Sequence, residues 1–95
     1  MSEIPFIDHV TFKPAPERDW PSGLRGFVSF RIGGLKVDGV AVRQTARGRT
    51  TLSFPARRDR AGRSHPYLHP VDDEARRAIE ERILGAIDID GGGQQ

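Results

Sequence analysis

The sequence predicts an α+β domain in which a small antiparallel sheet of about five strands packs against one carboxyl-terminal helix. Apolar and polar residues alternate with the period of a strand through residues 24–32. A two-glycine turn at 33–34 joins this segment to a second apolar-rich run. Only residues 72–87 place apolar side chains at helical spacing. Strands joined by a short turn and followed by one helix predict this class.

Two segments precede the first hairpin. Ile7 to Lys13 is predicted to form the first strand. The segment Pro14 to Gly23 contains three prolines, so we predict that it has no regular structure. We expect Trp20 in this segment to cover the edge of a thin core, since a loop tryptophan packs in this way more often than it stacks on a base.

The strongest local signal is the hairpin centred on Gly33-Gly34, whose residues suit positive φ at both turn positions. In the strand before it, the side chains expected to face inward are Leu24, Val28, Phe30 and Ile32. Leu35 to Arg43 is predicted to return as the next strand. Its apolar residues change parity at Asp38-Gly39, so we predict a bulge at Gly39 that restores their facing.

Three shorter segments follow the hairpin. Thr50 to Phe54 is predicted as a strand that Pro55 ends. Ala56 to Ser64 is predicted as a polar loop. Tyr67-Leu68 lies between two prolines, which leaves room only for a short edge strand.

The helix is predicted from Asp72 to Ile87, with Asp72 as its cap. Its apolar stripe consists of Ala75, Ala78, Ile79, Ile83, Ala86 and Ile87. We expect charged pairs four residues apart, such as Arg76 with Glu80, to lie on the outer side. The domain therefore spans 1–87, and the glycine-rich tail 88–95 is expected to be mobile.

Composition argues against several classes of protein. The chain has no cysteine, so no disulfide framework or thiolate metal site is expected, and the cytoplasm is the default compartment. No apolar run is long enough for a membrane helix. His65 and His69 have prolines after them, and in an extended segment they would lie about 13 Å apart, too far to share a metal. We expect no cofactor, no metal, no small-molecule substrate and no enzymatic activity.

Charge is distributed unevenly along the chain. Seven arginines lie between residues 43 and 63 against one acid, Asp59, whereas residues 72–90 carry seven acids. A high-GC genome would explain the preference for arginine but not its clustering. Several fixed cations on one face are what phosphate binding requires. A solvated loop that keeps a small protein in solution is the alternative, and composition does not decide between them.

The order of features from 26 to 87 resembles the stage V sporulation protein G (septation protein SpoVG) family. The resemblance rests on Val-Ser-Phe-Arg-Ile at 28–32, Leu-x-Val-x-x-Val-x-Val at 35–42 and Leu-Ser-Phe-Pro-Ala-Arg-Arg at 52–58. A glycine-containing loop and His69-Pro70 then lead into the helix, where His69 and Pro70 are interpreted as structural. The chain departs from the family in a less basic first strand, a longer second segment and extra acids in the helix.

The resemblance implies a homodimer formed through strand pairing, and a regulator that binds DNA, and also RNA, in septation and sporulation. It implies that the family's basic pair falls on Arg57 and Arg58 and its basic helix residue on Arg76. Arg60, Arg63 and Arg47 are expected to make outer contacts with nucleic acid. The alternative is a protein-interaction module in cell division that presents the same basic patch to an acidic partner.

Overall fold

The computed structural model describes residues 6–87 and has the predicted α+β fold. Its elements are β1 (Ile7–Pro14), a 3-10 helix (Glu17–Ser22), β2 (Leu24–Ile32), β3 (Leu35–Gln44), β4 (Thr50–Ser53), β5 (Ala56–Arg58), β6 (Ser64–Pro66) and α1 (Asp73–Leu84). The strands form a four-stranded antiparallel sheet in the order β1-β2-β3-β4 and a separate two-stranded sheet of β5 and β6. The predicted tail, 88–95, lies outside the described residues.

The core lies between one face of the four-stranded sheet and α1. Alternate residues of β1 to β4 supply most of it, and α1 contributes Ile83, which is fully buried. Cross-strand rows such as Phe12, Val28 and Val40 are buried together because side chains paired across an antiparallel sheet share a face. The predicted inward phase of β2 is confirmed at Val28 and Phe30.

The predicted bulge in β3 is confirmed. Val28 pairs with Val40 and Phe30 pairs with Val37, so β3 holds one more residue than β2 between these pairs. Gly39 lies in this interval with φ of 74°, a left-handed conformation that glycine adopts without steric cost. The bulge lets Val37 and Val40 face the core although their spacing is odd. Leu35 pairs with Ile32 on the same face as Val37 but is 70% exposed, because it lies at the hairpin turn beyond the reach of the core.

The segment Pro14 to Gly23 is not irregular as predicted, since it contains the 3-10 helix. Pro21 is compatible with this helix because proline's fixed φ suits a helical turn and a short helix loses little when one N–H is missing. Trp20 lies outside the core cluster and stacks on the guanidinium of Arg25, whose central carbon lies 4.2 Å from the ring centroid. Trp20 was expected to cover the edge of the core, and the residue that it covers is a buried arginine.

Two predictions for residues 56–68 are also wrong. The segment predicted as a polar loop forms β5, a tight turn and the start of β6. Tyr67 and Leu68 do not form a strand, although the Tyr67 N–H still donates to the Pro55 carbonyl at 2.9 Å. Local composition missed this hairpin because the turn depends on side-chain hydrogen bonds that residue frequencies do not show.

The helix begins as predicted and ends earlier. The Asp72 carboxylate accepts a hydrogen bond from the Ala75 N–H at 2.8 Å, which confirms the cap, whereas α1 ends at Leu84, before Gly85. Glu80 was expected on the outer side but is buried, because its Oε2 accepts a hydrogen bond from the Leu52 N–H of β4 at 3.2 Å. Arg82 donates to the Ile7 carbonyl of β1 at 2.8 Å. The helix is thus bonded to both edge strands of the four-stranded sheet.

Candidate nucleic-acid interface

Residues 56–66 form a projecting β-hairpin that we call the basic hairpin. All residues of β5 and β6 are exposed, so no core packing holds this element. Arg57 pairs with His65 and Arg58 pairs with Ser64 in an antiparallel ladder. The chain enters it directly from β4 through Phe54 and Pro55, so a packed strand anchors its base.

The turn of the basic hairpin is organised by Asp59. Its Oδ1 accepts hydrogen bonds from the backbone N–H groups of Ala61 and Arg63, both at 2.9 Å. Its Oδ2 accepts a hydrogen bond from the Nε2–H of His65 at 2.8 Å. Gly62, with φ of 84°, closes the turn by donating its N–H to the Asp59 carbonyl at 3.0 Å. One carboxylate therefore fixes both the turn and the strand that follows it.

These hydrogen bonds stabilise the charged form of Asp59. The pKa of Asp59 is lowered from its ordinary value, first by the hydrogen bond from His65 and then by the backbone N–H of Arg63. The sole acid of the hairpin is thus ionised at neutral pH and directed at the turn itself. Four arginines remain as the outward-facing charges of this element: Arg57, Arg58, Arg60 and Arg63.

Arg57 and Arg58 point to opposite faces of the hairpin, because successive side chains of a strand alternate. Arg57 shares its face with His65. The Nη1 of Arg58 donates to the Gly62 carbonyl at 3.0 Å, so this side chain lies along the turn. The neighbouring pair expected from the sequence therefore does not form one double-arginine contact, but one cation on each face of a ribbon.

Arg60 and Arg63 flank the tip of the turn. Arg63 Nε lies 3.6 Å from Asp59 Oδ2. The Arg63 side chain is 79% exposed, so solvent screens this pair. Arg60 is exposed at the tip, and within residues 6–87 no ion pair engages it. The structure thus brings together four of the six arginines that the sequence singled out.

Arg47 and Arg76 lie elsewhere. Arg47 is in the β3–β4 turn, at the beginning of β4, whereas the basic hairpin follows the end of β4. The four residues of β4 alone span about 13 Å. Arg76 Nη1 lies 3.7 Å from the buried carboxylate of Glu80, so it balances a charge inside the fold. Neither is placed on the hairpin.

Sequence reasoning missed a second group of exposed cations, which lies on the sheet face opposite the core. Lys13, Phe27, Ala41 and Ser53 pair in one row across all four strands, and Arg43 lies two residues from Ala41 on the same face. Phe27 is 44% exposed in this row. The signal was present in the sequence, since Phe27 falls on the polar parity of its strand.

His69 and Pro70 border a small apolar cleft between the sheet and α1. The Nδ1–H of His69 donates to the Pro70 carbonyl at 2.9 Å. The cleft is lined by Phe30, Ile32, Phe54, Leu68 and Ile79 together with these two residues. This arrangement turns the chain from the hairpin toward the start of α1.

Two other features are absent from residues 6–87. Among residues 6–87, no three histidine or acidic side chains are grouped so that they could hold a metal ion. In the same range, no helix has both the length and the apolar character needed to cross a membrane. Comparison with protein-family models finds no family that matches the chain, and comparison with curated proteins finds no match either.

Proposed function

We propose that this protein is a dimeric regulator that binds DNA, and also RNA, through the basic hairpin. It is a non-enzymatic, cytoplasmic member of the SpoVG family in this proposal, and it acts in septation or sporulation-type gene regulation. The observation that carries the proposal is a projecting ribbon with four arginines whose sole acid is engaged in its own turn. The segments that carry the resemblance to SpoVG lie on β2, β3, β4 to β5 and α1, in that order.

The opposite facing of Arg57 and Arg58 suits a duplex. The major groove of B-DNA is wide enough to admit a two-stranded β-ribbon. A hairpin that enters tip first turns its two faces toward the two phosphate backbones. Arg57 then meets one backbone, Arg58 the other, and Arg60 lies at the tip near the groove floor. Such contacts fix position and supply affinity without selecting a sequence, apart from any base contact that the tip makes.

The dimer is part of the proposal and rests on exposed apolar surface. Leu35 is 70% exposed, Tyr67 68% and Val71 87%, which is a large unburied share for a domain with a thin core. An open sheet edge is the weaker argument, because α1 is bonded to a backbone group on each edge strand. Light scattering should give the mass of two chains, and a mass of one chain at tens of micromolar would contradict the dimer.

The test of the hairpin's role is the salt dependence of duplex binding. Each phosphate that the protein neutralises contributes about 0.9 to the slope of log affinity against log salt. A dimer presents Arg57 and Arg58 twice, so the R57A/R58A variant should flatten the slope by about 2 to 4. Arg18 and Arg77 are also exposed, so an R18A/R77A variant removes the same charge elsewhere and should change the slope far less.

The outcomes separate nucleic-acid binding from other roles of the same patch. Folding of R57A/R58A should be retained, since exposed substitutions usually change stability by less than about 0.5 kcal/mol. An unchanged slope in the folded variant would contradict the phosphate role. A parent protein that binds neither DNA nor RNA at low salt would instead favour an acidic protein partner.

A further inference from the structure

The four-stranded sheet has one face that points away from α1, and most of its side chains are exposed, although Ala41 within it is 8% exposed. Its central row is Lys13, Phe27, Ala41 and Ser53. Each residue of this row has a buried neighbour in its strand, as with Phe12 and Val28, so the row points away from the core. The neighbouring positions on this face are Thr11, Ser29, Arg43 and Thr51. We call these eight side chains the open face.

Phe27 stands near the middle of the open face. Its ring is flanked across the sheet by Lys13 on β1 and Ala41 on β3. A methyl group at Ala41 is too short to cover a phenyl ring, and Phe27 retains 44% of its exposure. A flat aromatic surface is therefore available to a ligand on a rigid element of the fold.

The charges of the open face are of one sign. Lys13 and Arg43 lie on either side of Phe27, and within residues 6–87 neither makes an ion pair or a side-chain hydrogen bond. No acid belongs to the eight side chains. Two acids lie beside them on the same face: Asp8 is held by two hydrogen bonds of 2.9 Å from Arg31, and Asp38, in the β3 bulge opposite Ser29, lies 3.8 Å from the Nζ of Lys36. The face is thus complementary to an anion.

The remaining polar groups are hydroxyls that can read a base. Thr11, Ser29, Thr51 and Ser53 each carry a group that both donates and accepts a hydrogen bond. Among the described residues, these hydroxyls make no hydrogen bond within the chain. A rigid aromatic surface, two cations and free hydroxyls are the components with which sheet surfaces bind unstacked bases and their backbone.

We propose that the open face binds single-stranded nucleic acid, with one base stacked on Phe27 and the adjoining phosphates on Lys13 and Arg43. This goes beyond the function proposed for the basic hairpin, because it concerns a different surface and a different form of the ligand. Stacking on Phe27 requires a single strand, since a base presents its flat side only when it leaves the stack. The protein then has one surface for duplex and one for single strands.

A second copy of the chain is the other occupant to consider for this face. Two copies facing each other about a two-fold axis would bring Lys13 and Arg43 against an equally basic surface. Like charges placed across an interface oppose association. The charge of the open face therefore favours a polyanion over self-association.

The experiment measures binding of short oligothymidylate and oligouridylate by fluorescence anisotropy. Phe27→Leu keeps an apolar side chain but removes the aromatic surface, and should weaken single-strand binding by about 5- to 150-fold. Phe27→Trp should retain binding, and its new tryptophan fluorescence should be quenched on stacking, beyond any change seen for Trp20 in the parent. Phe27→Leu should leave duplex binding and its salt slope unchanged.

Three results would overturn the proposal. Single-strand affinity equal to that of the parent in folded F27L would exclude stacking on Phe27. A loss of dimer mass in F27L would assign the open face to self-association. If F27L does not fold, the K13Q/R43Q variant replaces it, and unchanged single-strand affinity in that variant would be the contradicting result. Failure of R57A/R58A to affect duplex binding would count against the hairpin alone, so the two proposals fail separately.

Discussion

Replacing Glu80 with alanine tests the least expected contact of the fold. Glu80 is 8% exposed, and its Oε2 accepts a hydrogen bond from the N–H of Leu52, which is itself 3% exposed. Removing the carboxylate leaves a buried N–H without its acceptor, which costs about 1 to 3 kcal/mol. For a domain of this size, 1 kcal/mol corresponds to about 4 to 8 °C in Tm. A loss near 2 kcal/mol therefore predicts that E80A melts about 8 to 16 °C lower.

Two further variants show whether the stability lost in E80A comes from the buried hydrogen bond. Glu80→Gln keeps an acceptor oxygen but not the charge, and should cost about 1 kcal/mol. Glu81→Ala changes an exposed neighbour on the same helix and should stay within about 0.5 kcal/mol. Thermal melts followed by circular dichroism rank the three variants by Tm. Hydrogen exchange of the Leu52 amide should become faster only in E80A. Equal melting of E80A and E81A would refute the buried contact.

Two other predictions follow from particular contacts. Gly26→Ala places a Cβ only 2.5 Å from the Lys13 carbonyl oxygen, whereas the Cβ of Gly48→Ala meets nothing within 4 Å. Gly26→Ala should therefore lower the free energy of unfolding by about 1 to 3 kcal/mol more than Gly48→Ala. Equal losses in urea unfolding would contradict this. The hydrogen bonds from Arg31 lower the pKa of Asp8 to about 2, so the stability that this pair adds is complete above the ordinary carboxyl pKa and is lost as pH falls toward 2. Arg31→Gln should raise the Asp8 pKa in an NMR titration, and an unchanged value would show that another cause sets it.

Much of the fold is encoded in local patterns. The alternation of β2 from Val28 to Ile32, the glycine turn after it and the parity change at Gly39 each depend on neighbours in sequence, and each is found. The start of β2 departs from the predicted facing at Arg25, which is buried beside a bulge, and only Gly33 takes the positive φ expected of both glycines. The Asp72 cap is equally local, because its bond reaches only to Ala75. These features could be predicted since backbone geometry and side-chain period decide them.

The features that were missed depend on contacts between distant residues. Glu80 falls on the polar side of the helical pattern, yet a backbone N–H of β4 draws it inward. The basic hairpin depends on the bonds that Asp59 makes to the turn and to His65, which composition reports only as a polar run. Phe27 lies on the polar parity of β2, so the apolar pattern that predicts the core does not include it.

For the candidate site, the sequence located the arginines but not their arrangement. The clustering of charge correctly marked the segment that projects from the fold. Alternation along β5 separates Arg57 from Arg58, and that separation could be known only once the segment was seen to be a strand. Arg47 was included by its charge and Arg76 by the family resemblance, and the fold places both apart from the hairpin.

The central claim is that the basic hairpin is the surface that contacts duplex nucleic acid, and backbone amide NMR tests it most directly. Titration of the labelled protein with a short duplex at low salt should give its largest shifts at residues 56–65. These shifts should diminish in R57A/R58A while the remaining spectrum keeps the dispersion of a folded domain. Binding that shifts amides elsewhere in the sheet or in the 3-10 helix, with residues 56–65 unmoved, would contradict the claim.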